Sequence, residues 1–524
     1  MEHSNSWRDY AVVSDSATMW NEYAAAPQTH THIPDCSFAG YRYSEQALPD
    51  IPEVISVKDT GAAGDGQRDD TLAFKRAIER AALSGGGAIY VPEGEYLLSD
   101  ILYFRHSGIV MRGAGKDKTK LLFAKSLTDI LGPLPFGVHP LRSQYAWCGG
   151  LIWVGPQASM TKDNWEGWDD KETLASLTAP AKQGAMTVQV DAEDAGKLTP
   201  SMAVQMTWDN PSDHSLLEAI AGHERMKATD WVSDGQMLTR WPRWYWPTEI
   251  AKVEGTTVTL KQPLRLEVRE KWNVALRPLG SHIREVGIEH LTIRMLHNDS
   301  DYVHLQDKGF NGIYFNRAMH CWVREVAIHN AENGIIHAAV KSSTVSGLTV
   351  SGREHHHALA LRLHSHDNVF TDFRIESKTV HGINTEGLSS GNVWRKGVMV
   401  HGTFDSHRLM SFDSIRTDIT LHNDGKPGGG DGFGPFLGRR MVHWNVCLIG
   451  SSGDWVYQPD CMPNGALVGV RGAEPSAKLC GRGTVPGFKG CVVADLATTP
   501  ELEDLFEAQL RHRLGMRAIR RLAR

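Results

Sequence analysis

Seven strand-like phrases at near-constant spacing fill the C-terminal half of this chain and constrain its fold more than any other feature. They are Cys321-Trp-Val-Arg-Glu-Val-Ala-Ile, Ser343-Thr-Val-Ser-Gly-Leu-Thr-Val, Asn368-Val-Phe-Thr-Asp-Phe-Arg-Ile, Asn392-Val-Trp-Arg-Lys-Gly-Val-Met-Val, Asp413-Ser-Ile-Arg-Thr-Asp-Ile-Thr-Leu, Arg440-Met-Val-His-Trp-Asn-Val and Asn464-Gly-Ala-Leu-Val-Gly-Val. With Val323, Val345, Val369, Val393, Ile415, Val442 and Leu467 as anchors, the steps are 22, 24, 24, 22, 27 and 25 residues. Units of this size cannot bury an apolar face alone and must stack. No helical run of ten residues separates the phrases, which disfavours leucine-rich and βαβ architectures. The spacing predicts an all-β parallel solenoid.

A chain of 524 residues would ordinarily divide into several domains, but a solenoid grows in one dimension and escapes that limit. The formal charge of −6 leaves no basic excess to neutralise phosphates, so no nucleic-acid partner is expected. Seven scattered cysteines, an odd number without CxxC spacing, read as reduced thiols rather than a disulfide or zinc framework. The N-terminus lacks a basic and apolar leader pattern, and no 18-residue apolar run occurs. The expectation is a cytoplasmic chain without membrane contact, or a secreted one if a leader has been removed.

Five segments follow. Residues 1–52 form a polar arm dotted with aromatics, and 53–139 the opening coils with a capping helix. A Trp-rich β insertion spans 140–282, the solenoid core with a groove 283–497, and a C-terminal helix 498–524. Asp69 or Asp70 can cap the first helix, with Ala73, Phe74, Ala77, Ile78, Ala81 and Ala82 as its buried stripe. Thr499 and Pro500 read as N-cap and first residue of the last helix, whose apolar side is Leu502, Leu505, Phe506, Leu510, Leu514 and Ile519. The 40-residue step from Ile283 to Val323 places one long loop outside the solenoid.

The run Asp59-Thr-Gly-Ala-Ala-Gly-Asp-Gly, Asp69-Asp-Thr, Ala77-Ile and Gly86-Gly-Ala-Ile-Tyr-Val-Pro-Glu-Gly-Glu-Tyr resembles the opening motif of the pectate-lyase-like superfamily, which includes proteins related to glycoside hydrolase family 28. The resemblance implies a right-handed parallel β-helix and work on carbohydrates. Gly402-Thr-Phe-Asp-Ser-His-Arg408 resembles a phrase in a subset of bacterial β-helix proteins and implies no substrate. Fold alone does not supply a reaction.

Residues 353–443 hold an unusual density of titratable groups. Repetition turns sequence offsets into columns about 4.8 Å apart. Arg362, Glu386 and Arg408 lie seven residues before successive anchors, and His357 and His381 lie twelve before theirs. These offsets predict an Arg–Glu–Arg column beside a His–His column. Such a face can tune acids and bases, although polar ladders in solenoids also serve only to satisfy turns.

Two reactions on a poly- or oligosaccharide compete. Hydrolysis needs two carboxylates across the bond, for which Glu386, Asp405 and Asp413 are candidates, with His407 and Arg408 positioning substrate. Elimination from a uronate needs a base and a group that offsets its carboxylate, for which His407 or His381 and Arg408 or Arg362 are candidates. A non-catalytic carbohydrate-binding solenoid is a further alternative. Arg362, His357, His364, Trp244, Trp246 and Arg416 are expected to contact substrate, the tryptophans by stacking on sugars. No cofactor or metal is expected. Among histidines, His364 and His366 could share a metal, whereas His355 and His356 point to opposite faces; calcium at clustered aspartates is the other option. The protein is expected to be a monomer or homotrimer.

Overall fold

A computed structural model describes residues 11–137, 139–157, 167–222, 236–239, 241–298, 301–406, 409–422, 437–449, 462–472 and 491–516. The predicted solenoid is present. A short parallel sheet stacks Leu102–Phe104, Ile152–Val154, Asn311–Met319, Asn333–Lys341, His357–Arg362, Ile383–Thr385 and Phe404–Asp405 in that order. A long sheet carries the seven phrases and ends at Cys491–Ala494. Ile152–Val154 lies within the stretch read as insertion, yet it pairs in parallel with Leu102–Phe104 and Asn311–Met319.

The period is right, but the anchors mix two faces. Val369, Val393, Ile415 and Val442 share one column. Val345, by contrast, pairs with Phe370, and Val442 pairs with Ala466. A slip of one residue moves a strand's side chains to the other face. Val323, Val345 and Leu467 therefore pack in the interior. The Val369 column faces outward, where Met19 and Tyr23 of an N-terminal helix and Leu505 and Phe506 of the last helix cover it.

Local chemistry sets where the capping helix and the last helix begin. The capping helix spans Thr71–Leu83 and buries Ala73, Phe74, Ala77, Ile78 and Ala81. Asp69 accepts from the Thr71 N–H (2.9 Å), while Asp70 instead accepts from the amides of Ala63 and Gly64 (2.6 and 2.8 Å) and fixes the glycine-rich loop. The last helix begins later than expected, at Leu505 rather than Pro500, because Asp504 is its N-cap and accepts from the Glu507 amide.

The N-terminal arm does more than lie on the outside. Ala11–Ser14 pairs in parallel with Cys491–Ala494 and extends the far end of the long sheet. The chain then runs back along the stack: Arg440 donates to the His30 carbonyl, the Gly40 amide to the Asp367 carbonyl, Tyr41 to Glu285, and Arg112 to the Ile51 carbonyl.

The insertion forms an antiparallel sheet in which Ala203–Asp209 pairs with Arg243–Glu254 and Thr187–Gln189 pairs with Thr257–Leu260. Its core of Trp208, Trp244, Trp246 and Trp272 is continuous with Leu388, Leu409, Met410 and Phe412 of the solenoid turns. Asp367 ties the two together. Its buried carboxylate accepts from Arg265 (2.6 Å) and Gln262 (3.0 Å) of the insertion and from Lys341 of the neighbouring coil. Burial pushes this carboxyl up, but Lys341 and Arg265 outweigh it and hold it at about 2.

Removing one partner strands the remaining buried charges. Asp367→Asn is expected to cost about 3–5 kcal/mol in urea unfolding at neutral pH. In the parent, the contribution is complete above the ordinary 3.8 of an aspartate and is lost as pH falls toward 2. The variant should lack that acid-side loss; equal stability and an unchanged acid limb would show that this contact does not fasten the insertion.

Candidate active site

The 24-residue offsets do stack. Leu359 pairs with Ile383 and Leu361 with Thr385, which sets Arg362 beside Glu386 and His357 beside His381. The Arg362 Nε donates to Glu386 Oε1, and the His357 and His381 rings stack with centroids 4.9 Å apart.

The histidine column grows out of an asparagine ladder at the start of the short-sheet strands. Asn333 Nδ2 donates to Asn311 Oδ1 (2.9 Å), and Asn333 Oδ1 meets His357 Nδ1 (3.1 Å). That oxygen can only accept, so His357 carries its proton on Nδ1. Its Nε2 then accepts from Asn384 Nδ2 (3.2 Å). His357 is thus a neutral, fully buried rung and not the substrate contact that was expected.

His381 differs by one partner. Gly382 follows it at φ +57, where a Cβ would lie 2.2 Å from the Thr403 carbonyl oxygen. The close approach brings the next coil's Asp405 to His381, with Oδ1 3.1 Å from Nδ1. Phe404 meets His443 of the long sheet at 4.9 Å between ring centroids, so strand alternation turns Asp405 to the outer face. A carboxylate on Nδ1 fixes that proton and leaves the Nε2 lone pair of His381 outward. There it meets the Nε2 of the exposed His304 at 3.2 Å.

His304 lies on the long loop that leaves the solenoid after Met295. Glu332 anchors the loop by accepting from the amides of Lys308, Gly309 and Phe310 (3.1, 2.7 and 2.9 Å). The loop also buries Asp307, whose Oδ1 is 3.4 Å from Nδ1 of His356. Burial raises both Asp307 and Glu332 above the usual carboxylate range, and the charge of Asp307 adds to the rise at Glu332. The His356 ring packs 4.3 Å from His357 and 4.9 Å from His381. Half-buried Trp147 bridges to the other pair: its ring is 6.3 Å from that of His356, and its carbonyl accepts from Arg362 (2.9 Å). One ring nitrogen each of His304, His356 and His381 lie within 4.8 Å of one another, as do ligand atoms of His357, His381 and Asp405. Among the described residues these are the two groups of three potential ligands, and neither consists of carboxylates alone.

Several expected site residues lie elsewhere. Asp413 is buried at the corner under the N-terminal arm, held by Arg440 Nε and Nη2 at 2.7 and 2.5 Å. Arg416 is interior, over the rings of Trp394 and Phe404, and its Nη2 donates to the Asp405 carbonyl (3.3 Å); it supports Asp405 from behind. Trp244 and Trp246 are fully buried in the insertion core, and the Trp244 indole donates to the Leu388 carbonyl, so neither can stack on a sugar. His364 is buried beneath the insertion between Trp241 and Tyr245. His366 spends both ring nitrogens on Ser390 and Tyr245, so this pair makes no metal site. His407 and Arg408 lie outside the described residues. The sequence pointed to neither His304 nor Asp307, offered His356 only as a metal ligand facing away from His355, and did not set Trp147 apart from the other tryptophans of 140–282; the 40-residue step marked the loop but not which of its side chains return to the sheet.

Residues 54–132 match the family model described as rhamnogalacturonase A/epimerase, pectate lyase-like. Mannuronan C5-epimerase AlgE3 of Azotobacter vinelandii is 43% identical over 81 residues, which is 14% of this chain and 4% of that protein. Alginate lyase 7 of the same organism is 43% identical over 70 residues, covering 12% and 8%. The chain thus spans less than a tenth of either curated relative. Among solved structures, an exopolygalacturonase from Thermotoga maritima aligns over 87% of this chain and 94% of its own at 15% identity, with a TM-score of 0.39. Residues 54–132 are thus a pectate-lyase-like opening segment, and a parallel β-helix continues from it.

Proposed function

We propose that this protein acts on a poly- or oligosaccharide laid across the short sheet, and that its reaction is β-elimination at a uronate residue with His381 as base. The single observation that carries the reading is the Asp405–His381 pair, with its second ring nitrogen turned outward. The matched segment contains none of these residues, so the relatives' names support the carbohydrate class and not the reaction.

Carboxylate commitments favour elimination over hydrolysis. Glu386 is bound to Arg362, Asp413 to Arg440, and Asp405 to His381. Each of the three carboxylates proposed from sequence thus has an arginine or histidine partner, which argues against an acid and base facing one bond. In the proposed step, His381 Nε2 takes the proton from the carbon next to the uronate carboxylate. The electron pair forms the new C=C bond, the C–O bond to the leaving sugar breaks, and that oxygen takes a proton from a neighbouring imidazolium, which returns to neutral imidazole. No water is consumed. Asp405 stabilises the imidazolium that forms. Trp147, half-buried and edged by Phe136 at 4.8 Å between ring centroids, is the aromatic platform in place of Trp244 and Trp246. Hydrolysis is the second reading, favoured by the buried carboxyl of Asp307 beside His356.

The test is a panel of uronate-containing and neutral glycans with products weighed by mass spectrometry. Elimination gives fragments whose masses sum to the parent, one of them unsaturated; a sum heavier by one water establishes hydrolysis instead. His381→Ala and Asp405→Asn are expected to lower kcat by about 10³-fold with little change in KM. Full turnover in His381→Ala would remove His381 from the mechanism whatever the product.

A further inference from the structure

We propose that His304, His356 and His381 form a binding site for a divalent transition-metal ion of the zinc class. The three imidazoles come from the long loop and from the turns that open two successive strands of the short sheet, and one nitrogen of each lies within 4.8 Å of the others. Two nitrogens bound tetrahedrally to zinc at about 2.0–2.1 Å are about 3.3 Å apart. The His304 and His381 Nε2 atoms are already 3.2 Å apart.

The surroundings are those of metal-ligating histidines. Such a ring usually offers its other nitrogen to a carboxylate, which fixes the tautomer and raises the basicity of the ligating atom. Here Asp405 is 3.1 Å from Nδ1 of His381, whose Nε2 faces His304, and Asp307 stands 3.4 Å from Nδ1 of His356 without hydrogen-bonding to it. Both carboxylates are buried. With Nδ1 of His381 holding its proton against Asp405, the facing Nε2 pair needs either a proton on His304 or a cation between them. The alternative group of His357, His381 and Asp405 is weaker, because His357 already spends Nδ1 on Asn333 and Nε2 on Asn384.

Three neutral nitrogens select zinc, cobalt, nickel or copper over calcium or magnesium, which take oxygen. Three protein ligands also leave a fourth position for water or a substrate oxygen. One consequence rests on the reaction proposed above: an ion here occupies the lone pair that His381 needs to lift a proton, so metal and elimination compete. Binding itself does not depend on that reaction.

The experiment strips the full chain with chelator and titrates it with zinc by calorimetry and with cobalt(II) by visible absorption. One ion per chain is expected, with the intense cobalt bands of a tetrahedral site. His304→Ala, at an exposed position, should weaken binding by about 100-fold or more, and His304→Cys should restore it; Asp307→Asn should cost about 10–100-fold. Absence of stoichiometric binding, or binding unchanged in both His304→Ala and His381→Ala, overturns the site. Inhibition by zinc is read separately on the stripped parent. A parent that binds one ion through His304 but cleaves no glycan keeps the metal site and removes the reaction.

Discussion

A coil of parallel β structure cannot complete its own hydrogen bonds. Each strand's amides and carbonyls point along the stack, and only the coils above and below can pair them. Everything else in this molecule is arranged around that dependence. Where strands give way to turns, side chains take over the pairing: the Ser343 amide donates to Asn368, the Asn368 amide to Asn392, and the Asn392 amide to Ser414. The two ends, where no further coil exists, are met by the capping helix at one and by the returning Ala11–Ser14 strand at the other.

The same dependence explains the buried charges. Asp367 and Asp413 sit at the corner where the arm crosses the coils, and each is matched by arginines, Arg265 for the first and Arg440 for the second. A buried carboxylate is costly unless it is paired and hydrogen-bonded, so these contacts tolerate few alternatives. They dock the arm and insertion in one register against a solenoid whose side would otherwise expose apolar turns such as Leu388, Leu409 and Phe412. The tryptophans of the insertion belong to this docking. Their size suits a core shared between two β layers as well as it suits a sugar platform, and composition does not separate the two uses.

What the sequence discloses follows from what repeats. The period, the helix ahead of the first coils and the stacking of Arg362 on Glu386 and His357 on His381 are consequences of constant offsets, and they were legible. Face was less so: Val345 and Val369 look equivalent as strand centres, yet one lies inside and the other under the terminal helices. A one-residue slip changes no composition. The loop carrying His304 and Asp307 repeats nothing, so its return to the sheet depends on Glu332 catching three amides of its far end, a tertiary contact with no local signature. Asp413 shows the reverse error. Its place beside the titratable cluster in sequence suggested chemistry, but half a coil of chain carries it to the corner with Arg440.

The site itself marks where the ladder stops being only a ladder. Asn311 and Asn333 spend their side-chain amides on the next rung and on the carbonyls of Tyr145, Cys148 and Gly149, and His357 spends both ring nitrogens on Asn333 and Asn384, so nothing remains to do chemistry. At His381 the partner changes from an amide to the carboxylate of Asp405, and the second nitrogen turns away from the stack toward His304. An amide partner fixes an imidazole's tautomer but offers no charge; a carboxylate fixes it and also stabilises a positive ring or a bound cation. That one substitution in a repeating column separates a buried structural histidine from one able to accept a proton or hold a metal. It also places such a histidine at the column's outer edge, next to the exposed imidazole of His304.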